Sequence, residues 1–96
     1  MKRNSALAWG IELSDRAVKA LAKLDKQTAK RITAKLREVA ALDDPRSSGK
    51  ALTGNLAGLW RYRVGDYRIV CDIERDVLAI LVVDVGHRSK VYTYAR

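Results

Sequence analysis

The segment Leu59-Trp60-Arg61-Tyr62-Arg63-Val64-Gly65-Asp66-Tyr67-Arg68-Ile69-Val70 constrains this chain more than any other. Its side chains alternate on either side of Gly65-Asp66, which reads as two strands joined by a two-residue turn. Glycine in the first loop position supplies the positive φ that a type II′ turn needs. Pairing Val64 with Tyr67 sets Arg63 opposite Arg68, and Arg61 opposite Val70. Arg61, Arg63 and Arg68 then share one face, because side chains alternate with a period of two. Trp60, Tyr62, Val64, Tyr67, Ile69 and Cys71 take the other. Like charges facing each other destabilise a sheet, so a cluster of this kind on rigid strands points to an anion held there. An internal lattice with Asp72, Asp84 or Glu74 is the alternative reading.

The length of 96 residues fits one small domain spanning 1–96. Hydrophobic residues make up 48% of the chain, which excludes a disordered polycation. A net charge of +8 suits a nucleic-acid partner, although a merely soluble basic protein would share it. Residues 1–42 hold ten basic and four acidic side chains, whereas 43–96 hold nine and seven. The C-terminal half is nearly balanced in bulk, so its interest lies in placement.

Cys71, the single cysteine, has no internal disulfide partner and falls on the apolar face of its strand, where it reads as a small buried hydrophobe. Met1 to Ser14 lacks the apolar stretch and cleavage pattern of a signal peptide. The apolar run Val77–Val83 is too short to span a membrane. The expectation is a cytoplasmic protein with no membrane partner.

Leu7, Trp9, Ile11 and Leu13 alternate with smaller or polar residues and predict a first strand with one packed face. Ser14 is placed to cap a helix carrying Ala17, Val18, Leu21 and Leu24. Asp25 is placed to cap a second, with Ala29, Ile32, Leu36, Val39 and Ala40 as its buried stripe, ending near Leu42 before Asp43-Asp44-Pro45. A loop follows over Arg46–Gly58, then strands near 59–64 and 67–73, a turn at Glu74-Arg75-Asp76, and a central strand from Val77 to Val85. Val91–Tyr94 forms a last short strand or a tail.

The fold class that follows is α+β, in β-α-α-β-β-β order, with a mostly antiparallel sheet and a helical hairpin packed on one face. Two helices cover one face only. The opposite face, with the arginines, Val70 and half of Val77–Val83, is expected to lie open for a partner.

Beyond the central strand, Val85-Gly86-His87-Arg88-Ser89-Lys90-Val91-Tyr92-Thr93-Tyr94 combines the only histidine with two cations and two tyrosines able to stack on bases. An ordinary solvated turn would look the same. No Cys/His pair has metal spacing, so no metal and no cofactor is expected. Lys26, Lys30, Arg31, Lys35 and Arg37 would reach DNA if the helices mimicked a helix-turn-helix; a solvated amphipathic hairpin also explains them.

Lys50-Ala51-Leu52-Thr53-Gly54, Leu56 to Val70, Val85-Gly86-His87-Arg88 and Val91-Tyr92 together resemble the RelE/ParE superfamily of toxins. The RelE-like branch implies a ribosome-dependent endoribonuclease that cuts mRNA in the A site. The ribose 2′-OH attacks the adjacent phosphorus without a metal. It also implies a cognate RelB-like antitoxin with an acidic amphipathic segment, and contact with DNA only through the antitoxin complex. The resemblance assigns catalytic roles to Arg61, Arg63, Arg68, His87, Arg88 and Tyr92, and RNA contacts to Lys50, Arg61, Arg63, Arg68, Lys90 and Tyr94. The best-known pattern has lysines at Arg61, Arg63 and His87. Arginines stay protonated and act as clamps, leaving proton transfer to His87 or Tyr92 and charge stabilisation to Arg88. The segment Arg88–Tyr92 is short, and Tyr94 is a substitute for Tyr92. The rival ParE-like reading keeps the fold, poisons DNA gyrase and uses the same face as a protein-binding surface. A stand-alone duplex-DNA-binding module is a third class.

Overall fold

A helix begins where a side chain can satisfy the first orphaned backbone N–H groups, and both helices here do so. The computed structural model describes residues 9–90. Ser14 Oγ accepts from Ala17 N at 3.0 Å to start α1, Asp15–Ala22. Asp25 does the same for α2, Lys26–Ala40, accepting from Thr28 N at 3.2 Å and from Thr28 Oγ1 at 2.6 Å. The strands are β1 Gly10–Leu13, β2 Lys50–Ala51, β3 Trp60–Val64, β4 Tyr67–Glu74 and β5 Ala79–His87.

They form one mixed sheet in the order β1-β5-β4-β3-β2. β2–β3, β3–β4 and β4–β5 are antiparallel, and β1–β5 is parallel. The hairpin register matches expectation: Val64 pairs with Tyr67, Arg63 with Arg68, and Arg61 with Val70. Gly65 has φ 57°, and Asp66 keeps a negative φ, as a type II′ turn requires. Across β4–β5, Val70 pairs with Asp84 and Cys71 with Val82. Val83 is therefore an extra residue, a bulge whose carbonyl accepts from Ser14 Oγ at 2.7 Å.

Ile32, Leu36 and Val39 of α2 and Ala17 of α1 pack with Tyr62, Val64, Ile69, Cys71, Ile73, Ile80, Val82 and Val85 of the sheet. Full burial of a side chain such as Ile32, Ile69 or Ile80 stabilises by about 2 kcal/mol. The predicted core face of the hairpin is thus the real one. The two helices packed against a single sheet confirm the α+β class.

Four expectations need correction. Leu7 and Ala8 lie outside the described residues, and in β1 itself no packed face forms: Ile11 and Leu13 are 37% and 42% exposed. β1 is the sheet's outer edge, and only Trp9 just before it is buried, donating Nε1 to Asp43 O at 3.2 Å. Second, β5 starts at Ala79 rather than Val77 and runs on to His87. Val77 belongs to the 3₁₀ turn Arg75–Val77, and Leu78 turns the chain with a left-handed φ of 51°. Third, Lys50–Ala51, predicted within a loop, pairs with β3. Fourth, the face carrying the arginines is less open than expected: Val70 is fully buried and Leu81 and Val83 are half-buried. Val70 lies on an inner strand, paired in register with Arg61 of β3 on one side and Asp84 of β5 on the other.

Candidate phosphate-binding site

Trp60 and Tyr62, the hairpin residues facing the helices, use their polar tips to hold the preceding loop. Trp60 Nε1 donates to Ser48 O at 2.6 Å, and Tyr62 OH donates to Pro45 O at 2.6 Å. The Arg46 guanidinium lies 5.8 Å from the Trp60 ring centroid. Pinned this way, the loop turns at Gly49 and delivers Lys50 directly opposite Arg61. Gly49 has φ 79°, and a Cβ there would collide with Arg61 O and stand 2.8 Å from Trp60 Nε1 and Tyr62 Cδ1. Only glycine permits so close an approach.

β2 ends after pairing with Trp60 and Arg61, so Tyr62–Val64 forms a free edge of β3. At that edge lies a cavity of about 350 Å³ lined by Lys35, Ser48, Gly49, Lys50, Arg61, Tyr62 and Arg63. Two like-charge rungs, Lys50/Arg61 and Arg63/Arg68, follow each other along one face. Among the described residues, the ion pairs are Arg16–Asp84, Lys35–Glu38 and Arg75–Asp44. None of them brings a carboxylate to Lys50, Arg61 or Arg63, so the internal-lattice reading fails for these three.

Arg68 bends toward the turn instead of the cavity. Its Nη1 lies 3.4 Å from Gly65 O and 3.3 Å from Tyr67 O. Arg88 is fixed beside the same turn through its backbone N–H, which donates to Asp66 O at 2.8 Å.

His87 pairs with Tyr67 across the sheet and shares its side, the face toward the helices and away from the arginines. The two rings meet edge-on at 5.8 Å. The imidazole Nδ1 accepts from Ser89 N at 3.2 Å and lies 2.9 Å from Ser89 Oγ. His87 and Lys90 line a different hollow, of about 710 Å³, with Arg16, Lys19, Lys23 and Asp84. Tyr92 and Tyr94 lie outside the described residues. The fold therefore gathers Lys50, Arg61 and Arg63, keeps Arg68 and Arg88 at the adjoining turn, and places His87 and Lys90 on the opposite face.

Burial holds the Tyr62 phenol well above the ordinary tyrosine range, with the nearby Cys71 and Asp44 adding to it. It stays a hydrogen-bond donor to Pro45 and carries no proton in or out of the cavity. Burial likewise pushes the Cys71 thiol up to about 12, which leaves it inert. Among the described residues, no group of three or more His, Cys, Asp or Glu converges to hold a metal ion. No helix there is long and apolar enough to cross a membrane.

By sequence Lys35 belongs to a solvated helix face or to a helix-turn-helix mimic, not to the arginine site. The signal for it was present: Lys35 stands between Ile32 and Leu36 of the buried stripe, so it emerges at the border where α2 meets the sheet edge.

A family model described as the ParE toxin of type II toxin–antitoxin system parDE matches residues 11–92. Among solved structures, a chain of the RelBE2 toxin–antitoxin complex from Mycobacterium tuberculosis superposes with a TM-score of 0.77 at 22% identity, covering 88% of this chain and 95% of its own. The isolated RelE toxin of E. coli gives 0.70 at 26%, covering 83% and 84%. A chain of the RelB–RelE antitoxin–toxin complex from Methanococcus jannaschii gives 0.67 at 26%, covering 86% and 96%. No curated protein sequence matches significantly.

Proposed function

This chain belongs to the ParE toxin family of type II toxin–antitoxin systems, within the RelE/ParE superfamily, and from that premise we propose that it cleaves mRNA in the ribosomal A site. The observation that carries the proposal is the cation cavity at the β3 edge, where Lys50, Arg61 and Arg63 converge and, among the described residues, form no ion pair with a carboxylate. In this reaction the ribose 2′-OH attacks the adjacent phosphorus, the P–O5′ bond breaks, and a 2′,3′-cyclic phosphate and a 5′-OH remain. Charge grows on the phosphoryl oxygens at the transition state, and preorganised guanidinium forks stabilise it without rearranging. Arg61 and Arg63 grip the scissile phosphate, Lys50 holds a neighbouring one, and Arg68 and Arg88 extend the positive field at the turn. Arginine does not give up its proton at neutral pH, so another group must accept the 2′-OH proton and supply one to the 5′ oxygen. His87 faces the other way, and the role passes to Tyr92, with Tyr94 its substitute. Lys90, beside His87, is then an RNA contact outside the cleavage cavity.

The partner expected with such a toxin is a RelB-like antitoxin whose acidic amphipathic segment neutralises the cavity. One observation favours the ParE-like alternative, a gyrase poison without nuclease activity: the candidate proton carrier His87 stands apart from the arginines. Primer extension on translated mRNA, run beside a gyrase supercoiling assay, separates the two. Ribosome-dependent cuts with unimpaired supercoiling are expected. Inhibited supercoiling with intact mRNA overturns the nuclease reading.

A further inference from the structure

Three of the four cations in the edge cavity come from the sheet and its loop; the fourth, Lys35, comes from α2. The other cations of that helix stand elsewhere. Lys26, Lys30 and Arg31 line a separate shallow hollow, and Arg37 is exposed. Lys35 is also the most sequestered of the ion-paired cations, its side chain only 25% exposed. Its Nζ lies 3.2 Å from Glu38 Oε2, while Glu38 itself is 66% exposed and does not line the cavity. Among the described residues this is the one carboxylate at ion-pair distance from any cation of the cavity. An exposed pair three residues apart on a helix is weak. A backbone phosphate in the cavity carries the same single charge as Glu38, but it meets Lys35 together with Lys50, Arg61 and Arg63 instead of alone at an exposed helix surface.

We propose that Lys35 is a phosphate-binding residue of this cavity and that Glu38 is its resident competitor, holding the ammonium group until an RNA backbone phosphate takes it over. The inference rests on the reading of the cavity as an RNA site. It adds a binding residue from outside the sheet and a carboxylate that sets how readily the site fills. In the empty protein Glu38 satisfies Lys35 and lowers the local positive potential. In the occupied protein Lys35 Nζ turns to a phosphoryl oxygen and Glu38 is released to solvent, where its exposure makes hydration easy.

The test is binding of a 2′-O-methyl RNA tetranucleotide, which has phosphates but no attacking hydroxyl, to the full chain across a range of salt. Lys35→Ala is expected to weaken binding and to flatten the plot of log K against log salt by about 0.7, the value for one single-strand phosphate contact. Glu38→Gln is expected to tighten binding about twofold, the scale of one exposed helical ion pair. That gain must vanish in the Lys35→Ala, Glu38→Gln double variant. Glu12→Gln, on the far edge strand β1, removes the same charge and serves as the control for net charge alone. A Lys35→Ala variant with unchanged affinity and slope overturns the proposal. So does a Glu38→Gln gain that persists without Lys35, or that Glu12→Gln equals. If Arg61→Ala also leaves binding untouched, the cavity reading itself fails; if only Arg61→Ala weakens it, Lys35 and Glu38 alone are excluded.

Discussion

The cavity at the β3 edge and the hollow between α1 and the end of β5 are both lined by cations, yet they differ in what balances them. In the hollow, Arg16 Nη1 lies 3.8 Å from Asp84 Oδ2, and Asp84 is buried beneath the surface lysines. At the edge, Lys50, Arg61 and Arg63 pair with no carboxylate among the described residues, and Glu38, the acid paired with Lys35, does not line the cavity. The supports differ as well. Arg61 and Arg63 stand on a strand whose alternate residues are anchored by 2.6 Å hydrogen bonds to the loop. Lys19 and Lys23 project from the last turn and cap of a short helix. Positive charge alone is thus a poor guide to an anion site. Unbalanced charge on a rigid support is a good one, because a ligand then gains the full field without first breaking an ion pair.

The sharpest way to break this contrast is Arg61→Ala. Loss of one preorganised donor should slow mRNA cleavage on programmed ribosomes by about 100-fold or more. An Arg61→Ala rate close to that of the unaltered chain would show that the edge cavity is not where the chemistry occurs.

Next comes the scaffold. Gly49→Ala introduces a Cβ against Arg61 O at a φ of 79°, and unfolding in urea should show a loss of about 2–3 kcal/mol. Gly54 has a similar φ of 63° with nothing within 4 Å, so Gly54→Ala should lose only about 1 kcal/mol, the left-handed backbone cost alone. Equal losses would mean that the close approach at Gly49 contributes nothing to the cavity wall.

A smaller effect tests the other hollow. Burial raises the Asp84 carboxyl above its ordinary 3.8, against the lowering by the Val85 N–H and Arg16. A carboxyl raised on folding favours the folded state when protonated. That contribution is fully present below 3.8 and is lost as pH rises through the raised value. The Asp84→Asn variant should therefore be the more stable protein at neutral pH, and its advantage should shrink on acidification. Urea midpoints measured from neutral to acid pH check the sign. An Asn variant less stable at neutral pH would mean that Arg16 outweighs desolvation. The smallest effect expected is that of His87→Ala on cleavage, within about threefold, since a general base would contribute at least 100-fold. A larger loss would bring His87 into the reaction from across the sheet.

The hairpin was legible because period-two alternation around Gly65-Asp66 admits one register, and that register fixes which residues face each other. The helix starts were legible from Ser14 and Asp25, since caps act locally. The start of β5 was harder. Val77 and Leu78 look like strand residues, but reversing the chain from β4 into β5 needs a tight turn, and the turn took them. The packed face expected of β1 failed because Ile11 and Leu13 lie on an edge, and edge position is a property of the whole sheet. The expected joining of His87 to the arginines failed for a related reason. Chain proximity to a sheet end does not say which face a side chain takes. Pairing with Tyr67 does.

By itself the sequence determined the alternating arginine hairpin and the two capped helices, because each follows from backbone geometry within a few residues. Tertiary structure alone decided what surrounds those arginines. It brought Lys50 opposite Arg61 through a strand of two residues, carried Lys35 in from a helix, and turned His87 to the far side. These placements depend on contacts between segments distant in the chain, where no local periodicity carries the information.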